Sequence, residues 1–115
     1  MYRFLLALSM LSISSSSFAD TLTLSSFQST KDTSEIQFYI NGVGVGYLYA
    51  NALLQVKGKD LMFCQPAGLT LIGANYISFI ESEVKRPSTG KPYQGNDQVE
   101  VILLNALRVN FPCKQ

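Results

Sequence analysis

The chain has 115 residues, 47% hydrophobic and 15% charged, with nine Lys and Arg against eight Asp and Glu and neither His nor Trp. This length and composition fit one globular domain and exclude a disordered chain. The balanced charge provides no basic surface for a nucleic acid, and the lack of His removes the commonest metal ligand and general base. We therefore expect no nucleic-acid partner, no metal, no cofactor and no catalytic residues.

The first residues have the pattern of a secretory signal peptide. A basic start is followed by an uncharged apolar run over residues 4–13, and then by a polar stretch that ends in small residues at the positions that signal peptidase reads. The sequence predicts cleavage of residues 1–19, between Ala19 and Asp20, export to the periplasm and a single domain over residues 20–115.

The exported chain is expected to have no stable membrane anchor. The apolar run of the signal peptide is too short to span a bilayer, and no Cys follows the cleavage point to carry a lipid. Loss of Arg3 leaves equal numbers of acidic and basic side chains, so net charge would not keep the molecules apart.

The two cysteines predict one structural disulfide. Export would place Cys64 and Cys113 in an oxidising compartment, and without a third cysteine they have one intramolecular pairing. That bond closes a loop of about fifty residues, which on the chain-entropy model stabilises the fold by roughly 4 kcal/mol. A redox-active pair would need a CxxC spacing or a nearby cation, and neither is present around Cys64.

Apolar residues recur at helical spacing and predict an all-α fold, a small bundle of about four helices. Residues 20–30 indicate only a loose arm or a weak short helix. The central helix is predicted over residues 33–55, after a capping pair formed by Asp32 and Glu35.

Two further helices are predicted after the central one. The first has an N-cap at Thr70 and ends before Pro87, and the second follows a capping pair of Asp97 and Glu100. The disulfide would then join the start of the third main helix to the chain end. Glu81 and Glu83 point to different faces of their helix, so we interpret them as solvated surface rather than a catalytic pair.

The central helix has no charged side chain between Ile36 and Val56. A membrane span is the alternative interpretation, but four amides and three glycines within it argue against lipid. Each glycine costs about 1 kcal/mol relative to Ala in a helix. We therefore predict that Gly42 and Gly46, one turn apart, let another backbone approach closely.

Residues 87–96 are the clearest loop and are longer than a connection between packed helices requires. Two prolines restrict the loop, and Tyr93 offers a large contact area at small entropic cost. Tyr93 is thus the predicted anchor for a partner, and Lys91 would suit an acidic groove. The alternative, in which Tyr93 folds back onto the domain, stays open.

Two segments with Pro87 between them carry a family resemblance. Residues 64–70 read Cys-x-Pro-x-Gly-hydrophobic-Thr, and residues 106–113 read Ala-Leu-x-x-x-aromatic-Pro-Cys. This spacing resembles the Rap/Tai family of type VI secretion immunity proteins, over about residues 36–113. The glycine-bearing helix also looks like the central helix of that family.

The resemblance implies a small all-α periplasmic protein, often a homodimer, that inhibits a peptidoglycan amidase injected by a neighbouring bacterium. A loop of the immunity protein enters the catalytic groove of the toxin. In this chain the corresponding residues would be Ser88, Thr89, Gly90, Lys91, Tyr93 and Gln94.

A small exported helical chain could also have one of two functions other than inhibition. A small periplasmic helical chaperone or stress-response protein also uses few helices and one disulfide, but acid-activated chaperones depend on many carboxylates, and this chain has eight. An enzyme is disfavoured because no catalytic constellation is present. Acid-induced exposure of apolar surface would favour the chaperone.

Overall fold

The computed structural model describes residues 21–114. Over this range it contains four helices and no β-strand. The predicted all-α bundle is thus confirmed, while the predicted signal peptide, residues 1–19, lies outside the described residues. The helices are α1 (Leu24–Thr30), α2 (Ser34–Val56), α3 (Gly73–Lys85) and α4 (Val99–Asn110).

α1 is a packed helix rather than a loose arm. Its Leu24 and Phe27 side chains are buried in the common core, and the hydroxyl of Thr23 accepts a hydrogen bond from the first turn. Backbone hydrogen bonds from Leu24 N to Asp97 O (2.8 Å) and from Val99 N to Leu22 O (2.9 Å) attach the segment to the start of α4. Tertiary contacts therefore stabilise a helix too short to persist alone.

α2 begins one residue later than predicted, because Thr33 and not Asp32 is its N-cap. The Thr33 hydroxyl accepts from Ile36 N at 3.4 Å. Glu35 lies in the first turn, where its charge suits the positive end of the helix dipole. The helix ends at Val56, within one residue of the predicted end.

The predicted caps of α3 and α4 are wrong. α3 begins at Gly73, beyond Thr70, and the Asn75 side-chain oxygen accepts from Ile72 N at 2.9 Å. α4 follows Gln98, and the Asp97 carboxylate instead accepts from the backbone of the preceding loop. α3 nevertheless ends at Lys85, as the following proline requires.

The core is formed where α3 packs against both α2 and α4. The largest fully buried side chains come from every helix and from the connection between α2 and α3: Tyr76, Phe27, Phe63, Ile40, Ile80, Ile102, Leu103, Leu107 and Val99.

Between residues 21 and 114, no helix reaches the length and apolar character that crossing a membrane requires.

Close approach of helices occurs at other glycines than the two predicted. A Cβ built on Gly44 would clash with the ring of Tyr76, and one on Gly73 would lie 2.6 Å from the carbonyl oxygen of Gln37. A Cβ on Gly42 or Gly46 would meet nothing within 4 Å. The packing prediction for Gly42 and Gly46 is therefore wrong for contacts within the chain, because both point away from the bundle.

The predicted disulfide between Cys64 and Cys113 is confirmed, with 4.9 Å between the Cα atoms. It is supported by a hydrogen bond of 2.8 Å from Cys64 N to Phe111 O. The ring of Phe111 also meets Phe79 of α3 edge to face, with 5.7 Å between centroids. The chain end is thus attached to the bundle by three kinds of contact.

A buried amide fixes the connection between α2 and α3. Asn51 donates to Phe63 O at 2.7 Å and accepts from Met62 N at 2.9 Å. Because both bonds go to the backbone just before Cys64, α2 determines where the disulfide is placed. The amide that argued against a lipid setting is satisfied inside the protein.

Candidate functional site

The loop between α3 and α4 is anchored by a buried carboxylate. Glu83, which is 4% exposed, lies on α3, and its Oε1 accepts from Ser88 N (2.8 Å), Ser88 Oγ (2.6 Å) and the Tyr93 hydroxyl (2.8 Å). Because all three donors are neutral, the cost of burying the carboxylate is offset by hydrogen bonds and not by an ion pair with any of them. Glu83 thus holds both sides of the loop, and its expected place on a solvated surface is wrong.

Tyr93 folds back onto the domain, which is the alternative left open by the sequence. Besides donating to Glu83, its hydroxyl accepts from Asn105 Nδ2 of α4 at 3.1 Å. The side chain is half-buried against the core, and this burial is the largest cause of its raised pKa. Tyr93 therefore positions the loop and is not a free anchor for a partner.

The outer part of the loop is a tight turn with exposed side chains. Gly90 has a φ of 77°, in the left-handed region that glycine adopts without steric cost, and its N–H donates to Pro87 O at 3.1 Å. Thr89 and Lys91, on either side of Gly90, are exposed. We call residues 88–92 the tip of the loop.

The second half of the loop is fixed by backbone hydrogen bonds. Gln94 N donates to the Asp97 carboxylate at 2.6 Å, and Asp97 N donates to Gln94 O at 3.1 Å. Ser25 N of α1 donates to Gly95 O at 2.9 Å. These bonds leave the Gln94 side chain exposed. The hydrogen bond from Ser25 attaches the loop to α1.

An open groove of about 780 Å³ runs between the loop and α4. Lys91 and Gln94 line one side, and Val101, which is exposed, lines the other. A groove with one cation, one carboxylate, amides and a small apolar area can receive a polar segment of another protein. In the part of the chain from 21 to 114, no group of acidic or cysteine side chains could hold a metal ion.

The six predicted loop residues thus divide into two groups. Ser88, Gly90 and Tyr93 shape and anchor the loop, whereas Thr89, Lys91 and Gln94 are turned to solvent. All six lie in one short segment of the sequence, and the structure adds Glu83 and Asn105 as the residues that hold this segment.

The spacing of residues in α3 does indicate that Glu83 is buried. Glu83 follows Tyr76 by seven residues and Ile80 by three, so it continues the buried stripe of α3. Glu81 lies on another face, as predicted, and its carboxylate forms an ion pair with Lys31 at the end of α1, with 2.8 Å between Oε1 and Nζ. A carboxylate in an apolar stripe indicates a buried hydrogen-bonded group, and the adjacent loop supplies its donors.

Comparisons with protein-family models, with curated proteins and with solved structures found no match to this chain. The resemblance to the Rap/Tai immunity proteins therefore stays a prediction from the sequence spacing. The assignment of a function depends on the geometry of the loop.

Proposed function

We propose that the protein is a periplasmic immunity protein that binds and inhibits a peptidoglycan amidase delivered by a type VI secretion system. Residues 88–94 form the contact, and the tip enters the catalytic groove of the amidase. The observation that supports this most is the anchoring of the loop by Glu83, which leaves Thr89 and Lys91 exposed.

Anchoring matters because ordering a loop on binding costs free energy. Each immobilised side chain costs about 0.5–1.5 kcal/mol, and a loop already held in its bound shape avoids much of this. Hydrogen bonds to Ser88 and Tyr93 fix the two sides of the tip before any partner arrives. The loop is therefore suited to insertion as a rigid wedge.

The exposed groups of the loop define the chemistry of the contact. Lys91 carries the one charge between Arg86 and Asp97, so it would face an acidic or strongly polar part of the amidase groove. Thr89 and Gln94 add a hydroxyl and an amide that both donate and accept. Such a contact blocks access to the catalytic groove without any chemistry by the inhibitor.

The disulfide supports the proposed location. A bond between Cys64 and Cys113 persists in oxidising compartments such as the periplasm, where a peptidoglycan amidase acts, and is rare in the cytosol. An inhibitor that works in the periplasm would be stabilised against unfolding by this disulfide.

The test is inhibition of a type VI peptidoglycan amidase, sought first among the products of the neighbouring genes, because immunity genes normally sit beside the gene of their toxin. The purified, disulfide-bonded chain is added to that amidase in equimolar amount, and release of peptides from peptidoglycan is measured. We expect loss of turnover with the wild type and at least a tenfold higher inhibitory concentration for Lys91→Ala, as removal of a charged contact costs about 1.5–3 kcal/mol.

Lys59→Ala is the matched control, because Lys59 is an exposed lysine in the connection after α2 and far along the chain from the loop. It should inhibit as the wild type does. Undiminished turnover with the wild-type chain would contradict the proposal. Suppression of aggregation of unrelated unfolded proteins, without an effect on the amidase, would indicate the chaperone instead.

A further inference from the structure

The open groove between the loop and α4 adjoins a second hollow of about 360 Å³. The side chains that line this hollow are Ser88, Thr89, Asn105, Arg108 and Val109. Thr89 and Asn105 line the groove as well, so the groove and the hollow form one continuous depression between the loop and α4. We call this depression the trench. The proposed contact of the tip with the amidase does not use it.

The floor of the trench is one face of α4. Gln98, the N-cap of this helix, and then Val101, Asn105 and Arg108 follow at spacings of three, four and three residues, which places them on the same side of the helix. At 1.5 Å per residue this face is about 15 Å long, the length of four to five residues of extended chain at about 3.3 Å each. The middle of the floor is held in place, because Asn105 Nδ2 donates to the Tyr93 hydroxyl at 3.1 Å.

The size of the trench favours an extended segment over a helix. One helical turn with its side chains is a cylinder about 10 Å wide and 5.4 Å long, which fills about 420 Å³. The second hollow holds about 360 Å³, less than one such turn. An extended chain needs only about 4.8 Å in its narrow direction, so it can follow the floor along its whole length.

The charges in the trench favour an acidic segment. Lys91 lines the groove and Arg108 lines the second hollow. Both side chains are exposed, and neither forms an ion pair with another of the described residues. Asp97 is the one acidic residue among the described lining residues, and its carboxylate already accepts from Gln94 N at 2.6 Å. The carboxylate of Glu83 is buried and bound by three donors of the loop.

An apolar side chain lies in each part of the trench. Val101, in the groove, is 50% exposed, and Val109, in the second hollow, is 55% exposed. Successive side chains of an extended segment point in opposite directions, so acidic and apolar residues of one segment can meet the cations and the valines respectively. Arginine together with exposed apolar side chains is typical of protein interfaces.

We propose that the trench receives an extended acidic segment of the amidase while the tip enters the catalytic groove. Arg108 binds a carboxylate of this segment, for which its planar guanidinium offers two parallel hydrogen bonds. The amides of Gln98 and Asn105 offer donors and acceptors to the backbone of the segment. The inference rests on the proposed function, because the segment belongs to the amidase. It makes the contact reciprocal, since each protein inserts a segment into the other.

The first experiment measures inhibition of the amidase by the exported, disulfide-bonded protein. Arg108→Ala should raise the inhibitory concentration at least tenfold, and Arg108→Lys should recover part of this loss, because lysine keeps the charge but not the two parallel hydrogen bonds. Arg86→Ala is the matched control, because Arg86 is an exposed arginine that lines neither part of the trench. It should inhibit as the wild type does. All four proteins should have the same thermal midpoint, since both arginines are exposed.

The second experiment does not use the amidase. The probe is a capped octapeptide that alternates Glu and Thr, and its matched control alternates Gln and Thr. Both are titrated to millimolar concentration into the ¹⁵N-labelled protein, and the amide chemical shifts are measured. The acidic peptide should shift amides of residues 98–109, and the neutral peptide should not. Arg108→Ala should weaken binding of the acidic peptide at least fivefold.

The outcomes separate this inference from the proposed function. If the wild type inhibits and Arg108→Ala inhibits equally well, the trench inference is overturned and the proposed function stands. If neither peptide shifts residues 98–109, or both shift them equally, the acidic segment is overturned. If the wild type does not inhibit the amidase, the proposed function fails. Shifts caused by the acidic peptide alone would then assign the trench to another acidic protein and overturn the amidase as its occupant.

Discussion

Tyr93 donates a hydrogen bond of 2.8 Å to Oε1 of Glu83, so the loop after α3 is held by a carboxylate of α3 itself. The same oxygen accepts two hydrogen bonds from Ser88. The shape of the exposed tip is therefore determined by one buried side chain rather than by the sequence of the tip alone.

Removing the carboxylate should destabilise the protein more than removing one of its donors. Glu83→Ala leaves the Ser88 backbone N–H and the Tyr93 hydroxyl without their acceptor, and we expect a loss of about 3 kcal/mol in the free energy of unfolding. Tyr93→Phe removes one hydrogen bond and should cost about 1 kcal/mol. Urea denaturation measures both values, and equal stability of Glu83→Ala and wild type would show that Glu83 does not hold the loop.

The contact between Gly44 and Tyr76 gives a second prediction. Gly44→Ala places a methyl group closer to the ring of Tyr76 than van der Waals contact allows, and such overpacking costs about 1–3 kcal/mol. Gly46→Ala is the control, because it adds the same methyl group to the same helix with nothing within 4 Å. The thermal midpoint should fall for the first variant and be unchanged or higher for the second, and the reverse order would contradict the packing.

Much of the fold could be predicted from the sequence because the three longer helices have regular apolar spacing. The end of α3 followed from the proline after Arg86, and the disulfide followed from the cysteine count. These signals are local, or depend only on composition, so no knowledge of the packing was needed.

The features that the sequence missed or left open depend on contacts between distant segments. α1 is helical because Leu24 and Phe27 enter a core built by the later helices. Gly44 is distinguished from Gly42 only by the position of Tyr76. The inward turn of Tyr93 required knowledge that Glu83 is buried beneath it, and sequence spacing alone left both orientations open.

The disulfide gives a third prediction. Cys113→Ser should lower the free energy of unfolding by up to roughly 4 kcal/mol, because the unfolded chain regains the freedom of a loop of about fifty residues. The helix content should persist, since the hydrogen bond from Cys64 N to Phe111 O and the ring contact of Phe111 with Phe79 remain. Circular dichroism and denaturation together test this, and an unchanged midpoint would contradict a stabilising role.

Tyr39 makes the stability dependent on alkaline pH. Burial, and then its hydrogen bond to Glu100, raise the pKa of Tyr39 from its ordinary value near 10 to about 12. The unfolded chain loses the phenol proton first, so the stability present below pH 10 falls as the pH rises toward about 12. Tyr39→Phe should show a shallower decline in urea midpoint over this range, and identical slopes would contradict the raised pKa.

Hydrogen exchange of the complex with the amidase tests the proposed contact most directly. Amide exchange of the disulfide-bonded protein is followed by mass spectrometry with and without the amidase that it inhibits. We expect added protection in residues 88–94 and none in residues 57–60, the exposed connection after α2. Protection of another surface, with residues 88–94 exchanging as in the free protein, would contradict the account.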